Sequence, residues 1–196
     1  MDELTAFDVE QYTKGRLSAG DPETQRALDA ALARVRNHCY WHVSPVKADT
    51  VTVRVEPNRY GSSGYGWSGC GVGVGDYEIA LPTLKLVSID SITEDGQPVD
   101  LDSITVRRNT LTKTSGCWRG DVVIAFTHGY TADEAQDFRD VVLKIIDRES
   151  ANVGDGGSGA LVYKQVDDIQ ARWAGGTFEE LYGDVLRPYR RVCWAA

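Results

Sequence analysis

The sequence predicts an α+β fold: a small helical bundle with an inserted antiparallel β-region and an extended C-terminal tail. Three observations carry that expectation. Apolar residues recur at helical spacing before residue 48 and again after residue 131, and in between they alternate with period two. The last ten or so residues are short, basic and aromatic, unlike anything before them.

The elements follow in order. Asp8 is expected to cap a short helix through Arg16, with a break at Gly20. Asp21-Pro22 opens a second helix, because a carboxylate suits the N-cap and proline suits the first helical position. Leu28, Ala31, Leu32, Val35 and Cys39 form its apolar stripe. Arg34, Arg36 and His38 sit where the helix dipole favours positive charge, and Pro45 closes the segment. From residue 49, Val51, Val53 and Val55 alternate with Thr52 and Arg54, Tyr77, Ile79 and Leu81 alternate with Glu78 and Ala80, and Val122, Ile124 and Phe126 do the same near the end. Asp95-Gly96 is a hairpin signal, and five to seven strands are expected over 49–130. Thr131-Ala132-Asp133-Glu134 is a capping box for a helix striped by Phe138, Val141, Val142, Ile145 and Ile146, fraying near Asn152. A weaker helix spans Phe178–Leu186 and stops at Pro188. The resulting organisation is N-terminal helices over 1–48 and a β-insertion over 49–130. C-terminal helices follow over 131–186 with a glycine-rich loop at 154–159, and a docking tail covers 187–196.

Charge and composition narrow the function. The chain carries 29 acids and 21 bases for a net charge of -8, which argues against a surface that grips nucleic acid as a whole. Residues 132–184 hold 12 acids against 5 bases, a net of -7, whereas 185–196 hold three arginines and no acid. No apolar run of about 18 residues suggests a membrane span, and Met1-Asp2-Glu3-Leu4 lacks the character of a secretory signal. Cys39, Cys70, Cys117 and Cys193 form no CxxC pair and read as free thiols.

Each possible chemical motif lacks its context. Gly64-Tyr65-Gly66-Trp67-Ser68-Gly69 fits G-x-G-x-x-G, but a strand rather than a helix is expected after it, so no helix dipole meets a pyrophosphate. It reads as a glycine-rich loop presenting Tyr65 and Trp67 as an assembly surface, or as partial packing onto the β-region. Cys39-Tyr40-Trp41-His42 has no second cluster to complete a zinc site, so Cys39 is expected to be buried and Trp41 to pack at the helix exit. Gly156-Gly157-Ser158-Gly159-Ala160 resembles a nucleophile elbow without the strand that an elbow needs. Asp167-Asp168 and Glu179-Glu180 point apart on any regular element. No catalytic, cofactor or metal residues emerge, and the chain is expected not to be an enzyme. The tail differs, because Arg187, Tyr189, Arg190, Arg191 and Trp194 combine the residue types that dominate interface hot spots.

Four landmarks then occur in order: Cys39-Tyr40-Trp41-His42-Val43-Ser44-Pro45, Leu81-Pro82-Thr83-Leu84, Thr127-His128-Gly129-Tyr130 and Tyr189-Arg190-Arg191. Their succession resembles head-to-tail connector (adaptor) proteins of long-tailed phages infecting actinobacteria. The chain departs from that pattern in lacking a proline near the start of the helix after Tyr130 and in its Val192–Ala196 extension. The resemblance implies a virion protein of the neck, at the portal vertex, assembled in the host cytoplasm. Its partners would be the portal protein, further copies in a homo-oligomeric ring (a dodecamer in the family's usual form) and a stopper or tail-completion protein. DNA would pass through the channel without specific binding, with no membrane and no cofactor involved. A C-terminal segment reaching into the portal would give Arg187, Tyr189, Arg190, Arg191 and Trp194 their role. The alternative is a β-rich module that binds carbohydrate or a host surface through Tyr65 and Trp67.

Overall fold

The computed structural model describes residues 3–55, 66–67, 73–74, 77–153, 163–166, 169–172 and 177–191. The fold is α+β, with four α-helices and antiparallel sheets among these residues. The chain divides into two compact units. A β unit comprises Met1–Asp2, Cys39–Ala135 and Tyr189–Ala196, and a helical unit comprises Glu3–His38 and Gln136–Pro188.

In the helical unit, α1 (Ala6–Tyr12) is capped by Thr5, whose side chain accepts from Asp8 N while the Asp8 carboxylate accepts from Thr5 N. This corrects the expected cap at Asp8 and the expected end at Arg16. The carboxylate sits at the third helical position of a capping box, and the helix gives way to left-handed Lys14 and Gly15. Helix α2 (Pro22–Cys39) starts as expected, with Asp21 Oδ1 accepting from Glu23 N at 2.9 Å. The apolar stripe of α2 is buried from Leu28 to Cys39. Helix α3 (Gln136–Val153) buries Phe138, Val141, Val142, Ile145 and Ile146, and it packs on both α1 and α4 (Phe178–Leu186). Arg16 bonds Asp147 Oδ1 at 2.6 Å, Arg34 pairs with Glu149 at 2.7 Å, and the Arg34 guanidinium lies 5.1 Å from the centre of the Phe178 ring. Residues 163–166 and 169–172 pair as an antiparallel hairpin that periodicity did not reveal.

In the β unit, one sheet has the order β1-β9-β5-β6, built from β1 (Lys47–Val55), β5 (Leu86–Glu94), β6 (Gln97–Pro98) and β9 (Gly120–His128). The other has the order β2-β3-β4-β8-β7, built from β2 (Gly66–Trp67), β3 (Gly73–Val74), β4 (Glu78–Ala80), β7 (Ile104–Arg107) and β8 (Thr110–Lys113). The hairpin of residues 163–166 and 169–172 completes the numbering as β10 and β11. Val53, Val55, Ile92, Val122, Ile124 and Phe126 of the first sheet share a core with Ile79, Leu111 and the flanking Leu81 and Trp118. Strands over this region exceed the five to seven expected because β2, β3 and β6 are only two residues long, too short for alternation to register. Residues Gly66 and Trp67, expected in a loop, form β2 and pair with β3. Asp95 and Gly96 both have positive φ, as the expected tight hairpin between β5 and β6 requires.

Candidate functional site

Among the described residues of the β unit, a polar and aromatic cluster lies where four separate segments meet. The first follows α2. Tyr40 (φ 63) and Val43 (φ 65) are both left-handed, an unusual state for any residue with a β-carbon and more so for a β-branched one. The surroundings hold this path in place. Val43 O accepts from Tyr130 N at 2.7 Å, and the His42 ring nitrogen lies 2.7 Å from Pro45 O. Cys39 is fully buried, and burial pushes its thiol up to about 12, against the opposing charge of Arg190.

The second segment is Leu81–Lys85. Thr83 is fully buried, accepts from Lys85 N and donates to Lys85 O, both at 3.1 Å, which folds the chain tightly before β5. Lys85 O accepts from Gly129 N at 2.9 Å. The third segment is the exit of β9. Gly129 has φ 115, and a β-carbon there would lie 2.7 Å from Pro45 O, so only glycine fits. His128 is buried among Phe126, His42 and Trp41, with ring centres 5.0, 6.0 and 6.1 Å away. Burial and then the Lys47 charge hold its pKa below the ordinary value, and Asp49, 3.4 Å from Nε2, pulls the other way.

The fourth segment is the strap Tyr189–Arg191. Trp41 Nε1 donates to Tyr189 O at 2.6 Å, Arg191 N donates to Cys39 O at 3.0 Å, and the Tyr189 hydroxyl donates to Glu134 O at 3.3 Å. Tyr130 stacks edge-on against Tyr189 at 5.4 Å and Trp41 at 5.8 Å. Glu134 completes the cluster by accepting from Lys85 Nζ at 2.8 Å and from Thr131 N at 3.0 Å.

The sequence-derived candidates fall in three groups. Tyr189 and Arg191 are buried in the strap, so the closing segment is ordered against its own chain as far as Arg191. Arg187 and Arg190 are exposed, the former paired with Asp184 and the latter 5.7 Å above the exposed Tyr40 ring. Tyr65 and Trp194 lie outside the described residues, as do Ser158, Asp167 and Asp168, and of Trp67 only the β2 backbone is described. Sequence reasoning missed Lys85, Gly129 and Glu134 as members of one cluster. Gly129 stood inside a noted landmark, but nothing local marks its neighbour as Pro45. Among the described residues, no three His, Cys, Asp or Glu side chains are grouped as a metal ion needs, and no helix is long and apolar enough to cross a membrane.

No protein-family model matches the chain, and no curated protein matches it.

Proposed function

We propose that this chain is a head-to-tail connector subunit of a long-tailed phage, forming a ring beneath the portal that extends the DNA channel and seats a stopper or tail-completion protein. One observation supports the reading above the rest. Three of the four landmarks that carry the resemblance, scattered from residue 39 to residue 191, meet in a single cluster, and Lys85, directly after the remaining one at Leu81–Leu84, joins it through Gly129. Those three are therefore parts of one structural feature rather than independent short matches. The proposed role is mechanical and calls for no catalysis.

The strap changes which residues are available to a portal. With Tyr189 and Arg191 turned into the chain, Arg187 and Arg190 remain accessible before residue 192, and the Tyr40 ring beneath Arg190 adds an exposed aromatic face. Many such weak contacts repeated around a ring would sum to firm attachment. The test is co-assembly with the portal protein encoded by the same genome, imaged by electron microscopy. Rings capped by this subunit are expected, and Arg190→Glu should reduce their occupancy. Absence of the subunit from the neck of purified virions would overturn the proposal.

A further inference from the structure

In a chain with eight more acids than bases, most described arginines are paired with a carboxylate or held in another contact. Arg107 and Arg108 are exceptions. They are adjacent and exposed at the tip of the β7–β8 hairpin, and neither makes an ion pair or side-chain hydrogen bond with any described residue. Arg108 is the first of the two turn residues and has φ 56, a position that glycine or asparagine normally takes. The tip is also tied down. Leu81 N donates to Asn109 O at 2.7 Å and Asn109 Nδ2 donates to Leu81 O at 2.8 Å, and Leu81 is itself fully buried in the shared core. The strained arginine therefore sits on a rigid support rather than on a loose loop.

The register places donors beside these guanidinium groups. Arg107 lies opposite Thr110 and Thr105 opposite Thr112, so all four share one sheet face. Glu78, opposite Thr112, is the one acid on that face of β4, β7 and β8. Arginine guanidinium groups and threonine hydroxyls are among the groups that contact phosphate oxygens. Aromatic side chains, which would stack on single-stranded bases or anchor a protein hot spot, are missing from β7, the turn and β8. We infer that the β7–β8 tip is a contact site for the phosphate backbone of duplex DNA, binding weakly and without regard to base sequence. The inference rests on the connector reading for the DNA being packaged genome, and otherwise on the hairpin alone.

Weak binding is read residue by residue by titrating the ¹⁵N-labelled full chain with a short blunt duplex at low salt. Signals of residues 105–112 are expected to shift. The association constant should fall with salt at a log–log slope of about -1.8, the value for two phosphates neutralised. Arg107→Ala with Arg108→Ala should abolish the shifts while leaving the remaining spectrum in place. Arg108→Gly should weaken the shifts and raise the melting temperature, because it relieves the left-handed backbone. Unmoved signals at 105–112, or equal shifts in the double variant, would overturn the inference. The same signals moving with protein concentration alone would assign the tip to a second copy and overturn it too. Duplex shifts without ring assembly on the portal would leave this site standing and remove the connector reading.

Discussion

Gly129 shows how one residue decides the geometry of a whole cluster. Its φ of 115 and its closeness to Pro45 O leave no room for a β-carbon, and its N–H is committed to Lys85 O. Gly129→Ala is expected to destabilise the protein by about 2 to 3 kcal/mol, the range of strained-backbone and overpacking substitutions, read as a lower urea midpoint. His128 makes a different prediction. Its folded pKa lies below the unfolded value of about 6.5, so the unfolded chain takes up the proton first as pH falls. Stability should therefore drop on acidification below about pH 6.5, the reverse of a histidine stabilised by an acid. Asp49 opposes that effect and Lys47 adds to it. His128→Phe should narrow the difference in urea midpoint between about pH 7 and about pH 5; an unchanged difference would assign the acid sensitivity elsewhere.

At the scale of elements, the turn Thr131–Ala135 does two jobs with one side chain. Glu134 closes the capping box ahead of α3 and also receives Lys85 from the start of β5. The hydrogen bond from Lys85, and then that from Thr131, hold its carboxyl down at about 2. The stabilisation is therefore complete above the ordinary value near 4.5 and disappears as pH falls through about 2. Glu134→Gln should lower the melting temperature at neutral pH and make little difference near pH 2, which a pair of thermal melts would check. The capping box was legible in the sequence because its partners are three residues apart. Lys85 was not, because nothing in a local pattern joins residue 85 to residue 134. The same contrast runs through the sheets. Alternation revealed β1 and β9 as strands, but their pairing, with Val51 opposite Ile124, is set by a core assembled from distant pieces. The β10–β11 hairpin escaped notice because Tyr163–Val166 and Ile169–Arg172 mix charged, amide and apolar residues without a clean period.

For the molecule as a whole, the α+β class was readable because the hydrophobic period changes from 3.6 to 2 and back within one chain. The division into units was harder to read. The chain leaves the helical unit after His38, returns at Gln136 and leaves again after Pro188, and only the middle crossing lies near a marked change of period. The strap was legible as an aromatic, arginine-rich segment. Its inward placement was not, since the residue types that suit a partner surface also suit a crevice in the same chain. A truncation ending at Arg191 keeps the strap and serves as the reference. One ending at Pro188 strips Trp41 Nε1 of its acceptor and removes the Tyr189 ring, and it should lose at least about 3 kcal/mol in chemical denaturation. Equal melts for the two truncations would show that the strap contributes nothing.

The hydrogen bond from Trp41 to Tyr189 joins residues 148 positions apart. During synthesis, Trp41 leaves the ribosome long before its acceptor exists. At about 5–20 residues per second, the intervening chain takes about 7 to 30 seconds to make. Tyr130, which holds the Val43 carbonyl and stacks on both rings, is itself made only in the later part of that interval. The Trp41–Tyr189 contact is thus among the last the chain can form, and a nascent chain that stalls before residue 189 leaves the indole without this acceptor.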